Sequence, residues 1–315
     1  MASGRNLKLY WAKESVFGTA PESADCLIKV TNFDAQLKYE NVTSEARVGS
    51  RFAPEAFNVG QLGNFNIDGE IYPDTFGYVL KAALGSVSKS GSGTDYIHTF
   101  TPQTSETPVS VTLQEVLASI HIKNYLASVI DGFDLEVKTK SIVTYKISGF
   151  FQDEASAIEY TGLSFSTINP FIAHQASVEI DDTSNSYLKN FTMSYKNNIK
   201  NDDYRLNSTK KVANFPVGSC AATGSLEFTT DYTTILTKYS ALTPIKLEII
   251  LTSNEFYDTD SPYKLEIIMP YVFITNAKIN RDKDYMTITA DYEACYDGTN
   301  APVTIKLYDD NSTGY

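Results

Sequence analysis

The sequence predicts a mainly β protein made of two tandem β-sandwich or barrel-like domains, each with one short α-helix. Three observations predict this class. Alternating apolar and polar residues recur along most of the chain, the mark of half-buried strands. A strand–aspartate–helix event occurs twice, about half a chain apart. Short matches between the halves follow one order at near-constant spacing, the signature of an internal repeat. The predicted division is 1–160, with an N-terminal arm over 1–24, and 161–315, joined near 160–169.

The arm contains LYWAKESVFGTAPES, broken by Gly18 and Pro21 and without a sustained period. Trp11 and Phe17 are large apolar groups on this segment; they fold back on their own core or dock on a neighbouring subunit. The stretch 26–41 alternates around Phe33, Ala35, Leu37 and Tyr39. Its counterpart is 187–198, where Asn190-Phe191 matches Asn32-Phe33 at an offset of 158, Met193 meets Ala35 and Tyr195 meets Leu37. Phe57-Asn58-Val59-Gly60 and Phe215-Pro216-Val217-Gly218 match at the same offset.

The first helix is predicted over about 74–84, in GEIYPDTFGYVLKAALG. A strand ends at Pro73, and the Asp74 carboxylate can accept the free N–H groups of a first turn. Phe76, Val79, Leu80, Ala83 and Leu84 form one apolar face, and Gly85 suits a left-handed C-cap. Gly77 inside the helix costs roughly 1 kcal/mol relative to Ala, so packing has to hold this helix. The second helix is predicted over about 231–242, with Asp231 as cap and Tyr232, Ile235, Leu236 and Tyr239 as its apolar face. Glycine-led strands at Gly69 and Gly224 lead into the two helices. Between the halves' matched pieces, 87–95 reads as a flexible Ser/Gly connection and 96–102 as an extended piece stopped by Pro102. Each half then ends in a hairpin, 130–153 and 274–297, with Val143, Tyr145, Ile147 and Gly149 alternating as Met286, Ile288, Ala290 and Tyr292 do.

A long polar loop follows the early strands of each half, 41–56 and 196–214. Loops of this length in a compact domain are usually functional or disordered. The first carries Asn41, Glu45, Arg47 and Arg51; the second carries Asp202, Asp203, Arg205, Lys210 and Lys211. They are solvated surface loops or projecting arms that pair with another copy, and their recurrence favours arms.

At 315 residues and 42% hydrophobic, the chain has material for one large core or two ordinary ones. Its 21 tyrosines suit strands and interfaces. Cys26, Cys220 and Cys295 are too far apart for a disulfide framework or metal-ligand spacing and read as buried or half-buried free thiols. No signal-peptide pattern opens the chain, and no apolar run approaches a membrane span. The net charge is −12, with 13 basic and 19 acidic residues on each side of the Tyr160 boundary. Such a surface argues against a grip on nucleic acid, which needs Lys and Arg, but not against nucleic acid passing close by.

No chemistry emerges from the motifs. His98, His121 and His174 lack metal-binding spacing, and nucleophile-elbow, P-loop and dinucleotide patterns are absent. The pairs Asp181-Asp182, Asp202-Asp203 and Asp309-Asp310 sit in Asn/Ser/Asp-rich stretches that turn chemistry explains. No catalytic residue, metal or cofactor is expected. The sequons at Asn41, Asn190, Asn207 and Asn311 are expected by chance in an Asn-rich chain.

Taken together, LYWAKESVFGTAPES, VTNFDAQLKYENV, GEIYPDTFGYVLKAALG and YIHTFTP resemble the tail tube proteins of tailed bacteriophages, most closely those of long non-contractile tails. The resemblance is clearest over 7–153 and weaker in the second half. It implies two tandem tail-tube domains, rings that stack into a hollow tail, and DNA in transit without specific binding. It implies a virion location after assembly in the host cytoplasm, no membrane, and contacts with copies of itself and with tape measure, tail terminator and tail-tip proteins. The loop after the early strands packs on the next ring in that family, which maps to 41–56. Two domains per chain make a trimeric pseudo-hexameric ring the favoured expectation, with a hexamer as the alternative. Two rival readings are another virion β-protein, such as a terminator, neck or decoration protein, and a carbohydrate-binding or adhesin module.

Overall fold

A computed structural model describes residues 6–46, 49, 52, 55–118, 121–206, 209–230, 232–281 and 286–315. The first half runs β1 (Leu7–Lys13), β2 (Cys26–Ile28), β3 (Asn32–Thr43), β4 (Ala56–Glu70), α1 (Phe76–Leu84), β5 (Gly85–Ser92), β6 (Asp95–Pro102), β7 (Val111–Leu117), β8 (His121–Lys138), β9 (Thr144–Phe151) and β10 (Asp153–Ser156). The second runs β11 (Ala176–Ile180), β12 (Thr183–Ser184), β13 (Leu188–Lys196), β14 (Ala221–Thr229), α2 (Thr234–Ser240), β15 (Ile245–Asp258), β16 (Ser261–Asn280), β17 (Thr287–Ala294) and β18 (Thr304–Asp309).

The pairing is antiparallel throughout the named strands. In one layer β3, β4, β9 and β8 lie side by side. β13, β14, β17 and β16 repeat that order. The two sets join where β13 pairs with the C-terminal half of β8, so eight strands form one continuous sheet. The facing layer of the first half is β2–β1–β7–β8–β10. That of the second is β12–β11–β15–β16–β18, extended by β6 and β5. β8 and β16 are long enough to serve both layers, and they bend at bulges, where an unpaired residue re-aims a strand. β8 breaks register between Ile130 and Gly132 against β9, and β16 between Ile274 and Asn276 against β17. The β7–β8 ladder shifts between Val111 and Leu113, the β15–β16 ladder between Ile245 and Leu247.

These registers place Phe65 opposite Gly149 in the first half and Gly224 opposite Tyr292 in the second. Each ring lies over the glycine that faces it: a Cβ on Gly149 would stand 2.6 Å from Phe65, and one on Gly224 would stand 2.5 Å from the Tyr292 hydroxyl. The large and small partners are inverted between the halves. The first-half position matching Gly224 is therefore Phe65, not Gly69. The core runs through both halves without a gap. Phe76 of α1 packs on Phe133 and Tyr145, and Ile235 of α2 is fully buried.

Several expectations change. The arm is not irregular: Leu7–Lys13 forms β1, held between β2 and β7. The 87–95 stretch is not a flexible connection but most of β5 and a turn, because β6 is anchored on β18 of the other half. Helix α1 is capped at Thr75 without a side-chain hydrogen bond, so Asp74 precedes the cap. Gly85 does end the helix, at φ 87°. Asp231 lies outside the described residues, and α2 starts after Thr233. Cys26 is buried and Cys295 half-buried, but Cys220 is exposed.

Candidate assembly surfaces

Phe76, Val79, Leu80 and Leu84 are buried against their own sandwich, as the helical period requires. Of the α2 face, Ile235 is buried while Leu236 and Tyr239 are half-buried against the core. Trp11 is 1% exposed in the main core, so its side chain folds back and presents nothing to a neighbour. Phe17 also turns inward, ring to edge against Phe215 at 6.0 Å.

The two long loops do different things. After Lys196 the chain leaves the sheet: Asn198 takes a positive φ of 49°. The Asn197 amide donates to the carbonyls of Ala83 and Ile130, both at 2.8 Å, and the Ile199 N–H donates to Asp131 Oδ1. The loop then lies across the first half. Ile199, Val212 and Phe215 are buried with Val129, against Phe17, Leu62 and Phe150. Lys211 reaches Asp153 at 2.5 Å, the Gln152 amide donates to the Val212 carbonyl, and Gln61 N–H donates to the Lys210 carbonyl. Asp203 and Arg205 pair with each other at 2.6 Å on an exposed surface, and Asp202 accepts the Tyr204 N–H through its carbonyl. Among these residues the predicted arm is thus an intrachain clasp. Sequence reasoning missed its receiving side, Gln61, Gln152 and Asp153, which no local pattern marks.

The first loop instead prolongs the β3–β4 hairpin. Asn41 pairs with Asn58 and Val42 with Phe57. Tyr39, Val42, Phe57 and Val59 are each about half exposed or more. Glu45 lies just past β3; Arg47 and Arg51 lie outside the described residues. Phe57 and Phe215, matched in sequence, have opposite surroundings: 51% exposed against fully buried.

The eight-stranded sheet has one face in the core; the other is in solvent apart from the corner at Leu62 and Phe150, which the clasp covers. The solvent face carries Asp34, Asp68, Glu70, Asp134, Glu136, Glu227, Asp291 and Glu293. Against them stand Lys38, Lys138, Lys146, Lys196 and Lys278. The rest is mostly Ser, Thr and Asn, and these strands contain no arginine. Lys146 sits between Asp68 on β4 and Asp134 on β8.

Both ends of this sheet are open. Among the described residues β3 pairs only with β4, and the 273–280 part of β16 only with β17. At the internal seam between β8 and β13, Phe133, Leu135, Val137, Phe191, Met193 and Tyr195 are all buried. At the open ends Phe33, Ala35, Leu37 and Ala277 stay half-buried, and Ile279 is 39% exposed. In a closely set acidic trio, Glu179, Asp182 and Glu248, two members already pair with Lys246, which contacts Asp182 and Glu248. No described helix is long and apolar enough to cross a membrane.

Fold and surfaces define a β-structural subunit with a polar sheet face and unpaired sheet edges. Residues 4–294 match the family described as phage tail tube protein, and the chain belongs to that family. It is a structural component of the virion tail. No curated protein matches it.

Proposed function

We propose that the chain is a tandem duplication of one tube domain and that three chains close each ring of the tail tube. One observation carries this reading: the internal seam, where β13 of the second half extends the sheet of the first. A sheet edge left unpaired is a template for another strand, and repeating the seam's rotation from chain to chain closes a ring. Three eight-stranded sheets make a barrel of about 24 strands. At ~4.8 Å per strand and a tilt near 40°, its backbone diameter is roughly 50 Å, wide enough after side chains for a duplex about 20 Å across. Six chains paired the same way give roughly 100 Å, a lumen with no reason to be so wide.

On this reading the solvent face of the sheet lines the channel. Its excess of carboxylates and lack of arginine suit a conduit through which DNA slides without binding. The exposed apolar flanks of the β3–β4 hairpin, Val42 and Phe57, contact the adjacent ring. Tape measure, tail terminator and tail-tip proteins are the chain's further partners. Assembly occurs in the host cytoplasm. Mass measurement of purified rings, with electron microscopy of the same sample, tests the stoichiometry: three chains are expected, and a six-chain ring would overturn it.

A further inference from the structure

We infer that ring closure pairs β3 of one copy, antiparallel, with residues 276–280 at the end of β16 of the next and with Arg281 just beyond it, in a register with Ala35 opposite Ile279. The inference rests on the three-chain reading above and deepens it by naming the contact.

The register comes from the internal seam. There Met193 faces Leu135, Tyr195 faces Phe133 and Phe191 faces Val137. β13 corresponds to β3 through Met193 and Ala35, which pair with the inverted partners Gly224 and Phe65. β8 corresponds to β16 through their bulges, at Asp131 and Thr275. Carrying both over sets Leu37 opposite Ala277, Ala35 opposite Ile279 and Phe33 opposite Arg281. The two strips are complementary. Each presents apolar groups that its own core leaves half-covered. Joining them buries Ile279 and Phe33, with the Arg281 stem and guanidinium over the Phe33 ring.

The solvent-side residues add a charge contact. Gln36 falls opposite Lys278, and Asp34 is the diagonal neighbour of Lys278, within reach of a long side chain. Asp34 and Lys278 are both exposed, and neither makes an ion pair among the described residues of one chain. A slip of two residues in one direction puts Lys278 opposite Lys38 and away from Asp34; a slip in the other sets Lys278 directly opposite Asp34 and Ala35 opposite Ala277, so charge excludes the first slip and the matched bulges decide against the second. This seam also lacks the clasp of the internal one: Asp131, which accepts the Ile199 N–H, is replaced by Thr275 at the matching bulge, and β3 runs on into its hairpin instead of turning aside. The contacts between chains therefore differ from the contacts between halves, and depend more on charge.

Engineered cysteines in the full chain test the register, in a Cys220→Ser, Cys295→Ser background. Mild oxidation of assembled Ala35→Cys, Ile279→Cys protein is expected to give covalent ladders ending at a closed trimer. Ala35→Cys, Ala277→Cys protein is expected to stay uncrosslinked. Preferential linking of 35 to 277 would overturn the register. Rings or tubes visible by electron microscopy but linked by neither pair would overturn edge pairing while leaving the ring intact. Absence of any ring or tube would remove the three-chain reading itself. Charge supplies a second readout. Lys278→Glu is expected to raise the concentration needed for assembly roughly fivefold, and adding Asp34→Lys to restore it to within about twofold. Equal assembly by the single and double variants, with unchanged circular dichroism, would overturn the assigned charge pair.

Discussion

Tyr315 rests on Gly77: a Cβ there would stand 2.3 Å from the phenol ring. The ring also meets Tyr78 and His98 edge-on at 4.9 and 4.8 Å, and its hydroxyl donates to Asp309. This explains a glycine inside a helix, a cost of roughly 1 kcal/mol that close packing offsets. Gly77→Ala regains the propensity but overpacks the contact, typically a loss of about 1–3 kcal/mol. A lower melting temperature, by a few degrees, is expected in thermal unfolding; an unchanged or raised one would show that the ring yields freely. Asp74 carries a second testable penalty. Burial raises its carboxyl above the usual range, against weaker help from Ser166 and Lys29, and one carboxylate oxygen is buried without a partner. A carboxyl raised in the folded state favours folding when protonated and loses that contribution as pH rises through the folded pKa. Asp74→Asn is therefore expected to stabilise the protein at neutral pH, with the gain shrinking toward about pH 4. Urea titrations at both pH values read this directly, and a gain independent of pH would sink it.

The halves exchange elements. β6 of the first closes the outer sheet of the second by pairing with β18, where the buried His98 and Asp309 meet at 3.1 Å. The second half returns a clasp that seals Leu62 and Phe150 of the first. Residues 1–160 expressed alone are expected to be insoluble or unfolded, and soluble when co-expressed with 161–315. A cooperative unfolding transition from 1–160 alone would refute the mutual dependence. This exchange was not legible in the sequence, because strand partners so far apart leave no periodicity. Asp309 reads as a turn residue until His98 is placed beside it. β1 was missed for a different reason: it is covered on both faces, Leu9 and Trp11 in the main core and Tyr10 and Ala12 in a second cluster, so it lacks alternation. The helices, the late hairpins and the β3/β13 correspondence were legible, because each has one wet and one dry face. Of the candidate loop residues, sequence supplied the position but not the partner. Lys211 looks like any surface lysine until the fold brings Asp153 to it.

At the scale of the assembled tube, charge on the sheet's solvent face decides whether DNA moves or sticks. Asp68 and Asp134 flank Lys146 across three adjacent strands, and Asp291 lies on β17 in the other half. If this face lines the lumen, each ring repeats these groups around the channel, and neighbouring rings repeat them along it. Replacing all three by lysine swings every subunit by six charges without touching the core, since Asp134 and Asp291 are exposed and Asp68 half-buried on the wet side. Duplex DNA is then expected to bind or stall in the tube. Every phosphate that a lysine neutralises steepens the fall of log K with log salt by about 0.9. Tubes with the native face should show no such binding at low salt, and the lysine tubes a steep, salt-reversible one, read by co-sedimentation. The same substitutions on an outer wall would let DNA coat the tube instead, and electron micrographs separate the two: threaded or plugged lumens support the channel assignment, and decorated exteriors overturn it.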